Sequence, residues 1–141
     1  MEPATKEIKI KSIESGLTET VWAEQVGTDT FKILENPVFS CKLNYGTVVS
    51  VVEDNGDLIV SQIVQASDYN TRQFMLPKLS ETELKENFGK PILEAGGYWE
   101  VVFGGVAFVH LLKESKFDIN KFLNELNYHV TEMVDDAKNR L

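Results

Sequence analysis

Asn55-Gly56, set between two β-branched runs, constrains this chain more than any other pair of residues. A two-residue type I′ loop needs positive φ at both central positions, and Asn followed by Gly tolerates that best. Upstream stands Val48-Val49-Ser50-Val51-Val52-Glu53-Asp54; downstream stands Asp57-Leu58-Ile59-Val60-Ser61-Gln62-Ile63-Val64. The turn predicts an antiparallel hairpin in which Val52 faces Ile59, Ser50 faces Ser61 and Val48 faces Ile63.

The rest of residues 1–70 has the same β character. Ile8 and Ile10 alternate with Lys9 and Lys11, and Thr18 to Glu24 is a second β-rich run. Gly27-Thr28-Asp29 is a turn before Phe31-Lys32-Ile33-Leu34, and Asn36-Pro37 breaks that strand because Pro cannot donate to a ladder. Short strands at this spacing predict a small antiparallel β-barrel-like sheet.

Residues 71–141 change rhythm. Arg72 to Leu76 reads as a strand, and Ser80 with Glu83 is a capping-box signature. Leu84, Phe88 and Ile92 follow at helical spacing, with Gly89 and Pro91 set to kink or split the helix. Two apolar runs flank Gly104-Gly105 as a second hairpin, in which Trp99 opposes His110 and Val101 opposes Phe108. From Asp118 as N-cap, Ile119, Phe122, Leu123, Leu126, Val130, Met133, Val134, Ala137 and Leu141 predict a long C-terminal helix. The expected fold is therefore α+β. A β-rich half, 1–70, precedes a ferredoxin-like β-α-β-β-α unit, 71–141, that lacks a final strand, and the two pack as one compact unit.

Composition narrows the function classes. The 141 residues carry a net charge of −8, which argues against nucleic acid as a direct partner. Residues 1–70 hold five Lys against eleven Asp or Glu, so the acidity is concentrated there and suits a basic partner. No apolar run approaches the roughly 20 residues of a membrane span, and Met1 to Lys6 lacks the form of a signal peptide. With a single cysteine, Cys41, no internal disulfide can form, and the expected location is the cytoplasm.

No residue constellation names a reaction. His129 has Glu125 and Glu132 within helical reach, which a solvated helix face explains. His110, in an apolar strand, reads as a buried, hydrogen-bonded histidine. Glu100, between Trp99 and Val101, would be an acid or base only if burial raised its pKa. Two separated histidines and one cysteine predict no metal site, and no cofactor motif is present: Gly96-Gly97 and Gly104-Gly105 match neither dinucleotide nor P-loop spacing. Glu53, Asp54 and Asp57 crowd the hairpin tip, where three carboxylates would meet a Lys- or Arg-rich surface.

Several segments carry a resemblance. They are Glu19-Thr20-Val21-Trp22-Ala23-Glu24, Phe31, Asn36-Pro37-Val38-Phe39, Leu43-Asn44-Tyr45-Gly46-Thr47-Val48-Val49 and Gly96-Gly97-Tyr98-Trp99-Glu100. Over about two-thirds of its length the chain resembles the bacterial domain-of-unknown-function family 4265. The family often has an acidic residue where this chain has Thr47, and a Gly-His pair where it has Asp68-Tyr69. The resemblance implies no established activity and no catalytic residue.

The sequence thus favours a non-enzymatic protein-binding protein. Its size and acidity suit an immunity protein that neutralises a basic toxin domain of a contact-dependent or polymorphic bacterial system, a nuclease among them. Glu53, Asp54, Asp57 and Asp68 are the expected contacts, with Tyr69 as aromatic anchor. The alternative is a small-molecule- or nucleotide-binding regulatory domain with a pocket near Trp22, Tyr45, Tyr98 and Glu100. A catalytic role for Glu100 with His110 or His129 ranks last. The oligomeric state is not legible.

Overall fold

Alternation of inward apolar and outward polar side chains builds the first sheet. In the computed structural model, which describes residues 4–12, 16–40 and 42–133, β1 (Thr5–Lys11) buries Ile8 and Ile10. β2 (Thr18–Gln25) buries Val21 and Ala23, β3 (Thr30–Ile33) buries Phe31 and Ile33, and β4 (Val48–Asp54) buries Val49 and Val51. With Leu43 these side chains form one apolar cluster, against which Leu58 and Val60 of β5 (Asp57–Gln65) pack. Each fully buried Ile, Val or Phe contributes roughly 1.5–3 kcal/mol. Consecutive strands pair antiparallel, and a parallel contact of Lys9 with Ile59 closes the sheet into a barrel in the order β1-β2-β3-β4-β5.

The β4–β5 hairpin turns at Asn55 (φ 53°) and Gly56 (φ 86°), the positive values its loop type requires. Val52 faces Ile59, as the turn predicts, but Ser50 faces Gln62 and Val48 faces Gln65. Irregularities between Ser50 and Val51, and between Val48 and Val49, each take up an extra residue of β5. Bulges of this kind bend a strand, which a small closed barrel needs.

The described residues fall into two compact units that meet in sequence at Asp68 and Tyr69. The second contains β6 (Tyr69–Met75), a helical segment, β7 (Tyr98–Val102), β8 (Val106–Leu112), α2 (Ile119–Asn124) and β9 (Thr131–Met133). Its sheet order is β7-β8-β6-β9, with all neighbours antiparallel. Phe74, Phe88, Ile92, Val109 and Ile119 are among the buried residues of its core. The helical segment opens with Ser80 accepting the Glu83 N–H at 3.1 Å. It runs as π-helical turns over Glu83–Gly89 and continues into α1 (Lys90–Glu94), so Gly89 and Pro91 change its winding without ending it.

The expected α+β fold with a long C-terminal helix is overturned. The chain is mostly β, and α2 stops at Asn124. Asp118 is its N-cap, accepting the Lys121 N–H at 3.1 Å. Leu126 and Val130 still reach the core, but from turns and extended chain, and Thr131–Met133 pairs with β6 as a fourth strand. Apolar spacing marked the buried residues without distinguishing a helix from a short helix plus strand. A sheet edge offering a backbone ladder decided between them. Arg72 holds that edge: its Nε and Nη2 donate to the two Glu132 carboxylate oxygens at 2.7 and 2.8 Å, and Nη2 also donates to Asn120. Val134, Ala137 and Leu141, the remainder of the expected helix, lie outside the described residues. His129, Glu125 and Glu132 share no helix face, and Glu132 belongs to Arg72 instead.

The second hairpin is also one residue out from its expected register. Its loop is Phe103-Gly104-Gly105, so Tyr98 faces His110 and Trp99 faces Val109. A one-residue slip moves every side chain to the other face. Trp99 therefore meets Phe88 edge-on at 6.2 Å, and Tyr98 stacks on His110 at 6.0 Å.

Two predictions follow from this packing. A Cβ on Gly89 would lie 2.3 Å from the Trp99 indole. Gly89→Ala should therefore lose about 1–3 kcal/mol in urea unfolding by overpacking, although helix propensity alone favours Ala by about 1 kcal/mol. Hydrogen bonds from Arg72 hold the Glu132 carboxyl below the ordinary glutamate range. A lowered pKa stabilises the fold above the unfolded-state value, and that contribution disappears as pH falls through the folded-state value. The pair is partly solvent-exposed, so Glu132→Gln should cost only roughly 0.5–1 kcal/mol at pH 7. The difference between variant and parent should shrink below about pH 4 in pH-resolved urea titrations.

Candidate functional site

The β4–β5 hairpin gathers three of the expected contact residues. Glu53 and Asp54 end β4, Asp57 begins β5, and the rigid Asn55-Gly56 turn holds them at one tip. Glu53 and Asp54 are exposed. Asp57 is half-buried and accepts from Lys9 Nζ at 2.9 Å, so the barrel supplies a cation to one of the three carboxylates. An exposed pair of this kind adds ~0–1 kcal/mol of stability; its larger effect is to leave the uncompensated charge on Glu53 and Asp54. A cleft of about 390 Å³ beside the tip is lined by both signs of charge, including Lys6, Glu7 and Lys9. Val52, 54% exposed, stands next to the carboxylates on the same strand.

Asp68 and Tyr69 do not join this tip. From Asp57 to Gln65, β5 extends about 26 Å at roughly 3.3 Å per residue, and Asp68 lies beyond its far end. Asp68 is exposed; Tyr69 is half-buried and starts β6 opposite Leu112. The four residues of the expected pocket divide between the two units. Trp22 points outward from β2 between buried Val21 and Ala23, and half-buried Tyr45 donates its N–H to Asn36 Oδ1 at 2.9 Å. Both belong to the first unit, whereas Tyr98 and Glu100 are neighbours on β7 of the second. Cys41 lies outside the described residues.

Glu100 and His110 do form a cluster. His110 is fully buried; its Nε2 lies 2.6 Å from Glu100 Oε2 and its Nδ1 lies 2.8 Å from Thr71 Oγ1. The rings of Tyr98 and Phe108 lie nearly parallel to the imidazole, at 6.0 and 6.5 Å between centroids. Both ring nitrogens are engaged, with donor and acceptor roles set by the tautomer. The cluster rivets β6, β8 and β7 together. His110 has no solvent-exposed surface. Among the described residues, no group of three His, Cys, Asp or Glu side chains is placed to hold a metal ion. No described helix is long and apolar enough to cross a membrane.

Two features escaped the sequence analysis. Phe103 has a positive φ of 52° and is 76% exposed at the tip of the β7–β8 hairpin. Such a conformation is uncommon for a bulky residue; Phe103 followed by two glycines was the available signal. The second is a clasp around the loop from β3 to β4. The Glu19 carboxylate accepts N–H bonds from Val38, Phe39 and Ser40 at 2.8, 2.9 and 3.1 Å. Across the same loop, Asn36 Oδ1 holds the Tyr45 N–H, and Thr47, almost fully buried, exchanges hydrogen bonds with Asn44.

Comparison with known proteins places the chain by family. The sequence profile of the family described as Domain of unknown function (DUF4265) matches residues 19–132, and the chain belongs to that family. No curated protein matches it. Among solved structures it is similar to one titled as a novel crystal structure of a hypothetical protein from Neisseria gonorrhoeae. The likeness has a TM-score of 0.61 at 17% identity and covers 94% of each chain, which is a likeness of fold.

Glu19, Asn36, Asn44, Tyr45 and Thr47, all within the segments that carry the resemblance, belong to the clasp. Thr47 is a buried hydrogen-bonding member of it. In this chain those residues have a structural use. Glu19→Ala should cost about 1–3 kcal/mol in urea unfolding, because three backbone donors lose one acceptor group. Hydrogen exchange should accelerate at Val38, Phe39 and Ser40; unaltered exchange there would show that the clasp does not hold the loop.

Proposed function

We propose that this protein is a non-enzymatic binding protein that occludes a basic surface on another protein. More specifically, we propose an immunity protein acting in the cytoplasm against a toxin domain of a contact-dependent or polymorphic bacterial system, with a nuclease-type domain as the target its acidity fits. The observation that supports this reading is the hairpin tip. Two exposed carboxylates, Glu53 and Asp54, stand beside exposed Val52 on a turn whose geometry is set before any partner arrives. A preorganised tip avoids the ordering cost that a flexible loop would carry on binding. Its charge, in a chain of net charge −8, would draw in a cationic partner and accelerate encounter. The exposed Val52 side chain at the same place supplies apolar area that can be desolvated once contact is made.

The decisive experiment pairs growth with kinetics. The C-terminal region of the protein encoded just upstream is expressed with and without this chain, and killing should be relieved only when the chain is present. With that toxin in hand, Glu53→Lys combined with Asp54→Lys should slow association about tenfold or more at low salt and flatten its salt dependence. The same association rate in the charge-reversed variant would remove the tip from the interface. Killing that persists beside well-expressed chain would remove the immunity reading for that pair.

A further inference from the structure

Asn55 is followed by glycine, and no other asparagine in the chain is. Both residues are exposed at the tip of the β4–β5 hairpin. A Cβ added to Gly56 would meet nothing within 4 Å, so the peptide between the two residues stands clear of the rest of the molecule. The ladder pair that closes the turn sets Asp54 directly opposite Asp57. Like charges in that position weaken a hairpin pair. Lys9 Nζ, 2.9 Å from Asp57, tethers that side of the pair to the barrel. Brief opening therefore falls on Asp54 and Asn55, at the end of the ladder, where it costs far less than global unfolding.

We propose that Asn55 is a modification site, at which the side-chain amide is lost by attack of the Gly56 nitrogen and the tip gains a further carboxyl group beside Glu53, Asp54 and Asp57. The reaction proceeds from the opened tip. The Gly56 nitrogen gives its proton to a solvent base and attacks Cγ of Asn55. A bond forms between that nitrogen and Cγ, and the bond from Cγ to Nδ2 breaks as Nδ2 takes up a proton and leaves as ammonia. The cyclic succinimide then takes up one water. Opening at Cγ gives an aspartyl residue on an unchanged backbone. Opening at the main-chain carbonyl gives an isoaspartyl residue, whose backbone runs through Cβ. Ammonia leaves, water enters, and nothing is oxidised or reduced. A side chain on the following residue would obstruct the cyclisation, and glycine has none.

The two products act differently on the hairpin. An aspartyl residue tolerates the φ of 53° found at this position, so that product keeps the turn and adds one negative charge to a chain of net charge −8. The isoaspartyl product lengthens the loop backbone, so the type I′ geometry no longer closes on Asp54 and Asp57. The modification thus divides the chain into a form with a more acidic tip and a form with an unlocked one. It does not rest on the reading proposed for the tip.

The test is peptide mapping of the folded full chain after incubation at mildly alkaline pH, by electron-transfer mass spectrometry, which separates aspartyl from isoaspartyl residues. Asn124 and Asn127, exposed and followed by Glu and Tyr, serve as internal standards. Asn55 should convert about tenfold or more faster than either. The isolated isoaspartyl fraction should exchange its Leu58 and Ile59 amides faster than the parent, whereas Asn55→Asp should exchange them at the parental rate. Asn55→Gly, which keeps a turn able to take positive φ, should abolish the drift of the chain to lower isoelectric point. The proposal fails if Asn55 stays an amide in the folded chain, whether or not it converts in urea, since the closed turn would then protect it. It also fails if Asn124 or Asn127 converts as fast, or if the acidic drift persists in Asn55→Gly. Unchanged exchange in the isoaspartyl fraction would overturn the unlocked tip.

Discussion

Closing a five-stranded sheet requires the first and last strands to meet, and here they do so through the parallel contact of Lys9 with Ile59. Much of the first unit depends on that contact. It encloses the side chains of alternating strands so that Ile8, Val21, Ile33 and Val49 lose essentially all contact with water. The bulges in β4–β5 supply the curvature that lets the ends meet. The Lys9 side chain then reaches Asp57, so the residue at the seam also sets the charge balance of the hairpin tip. β5, of nine residues, is longer than β1, of seven, and continues past this short parallel contact.

How much of this was legible depended on whether a local signal had a competitor. Asn55-Gly56 had none: positive φ at two consecutive residues specifies the turn, and the first pairs, up to Val52 with Ile59, follow from it. The bulges were not legible, because they answer to the barrel's curvature and not to nearby residues. At the second hairpin, Gly104-Gly105 suggested a two-residue loop, but Phe103 joins it at positive φ. That single residue decided whether Trp99 or Tyr98 would face His110. Ring packing on both faces supports the result, with Trp99 against Phe88 on one side and Tyr98 against His110 on the other.

The C-terminal segment shows a different limit. Leu126 and Val130 were legible as core residues and do pack there. Their conformation was not, because a period near 3.6 over few residues also fits a helix that breaks into a strand. The competing term was tertiary: β6 had an unpaired edge, and Arg72, sixty residues away in sequence, could hold Glu132 by two hydrogen bonds. The candidate site divided in the same way. Glu53, Asp54 and Asp57 came together because one local turn holds them, whereas Asp68 lies past the far end of β5, a strand of nine residues.

The hydrogen-bonded clasp and the proposed binding tip lie on different residues, and physics gives a reason. Glu19, Asn36 and Thr47 spend their polar atoms on backbone and neighbours inside the first unit. Groups satisfied in this way are poorly placed to bind a partner, since a new bond must first break an old one. Glu53, Asp54 and Val52 lie instead where side chains reach solvent without that internal bonding role. The clasp stiffens the loop entering β4, and β4 in turn carries the tip.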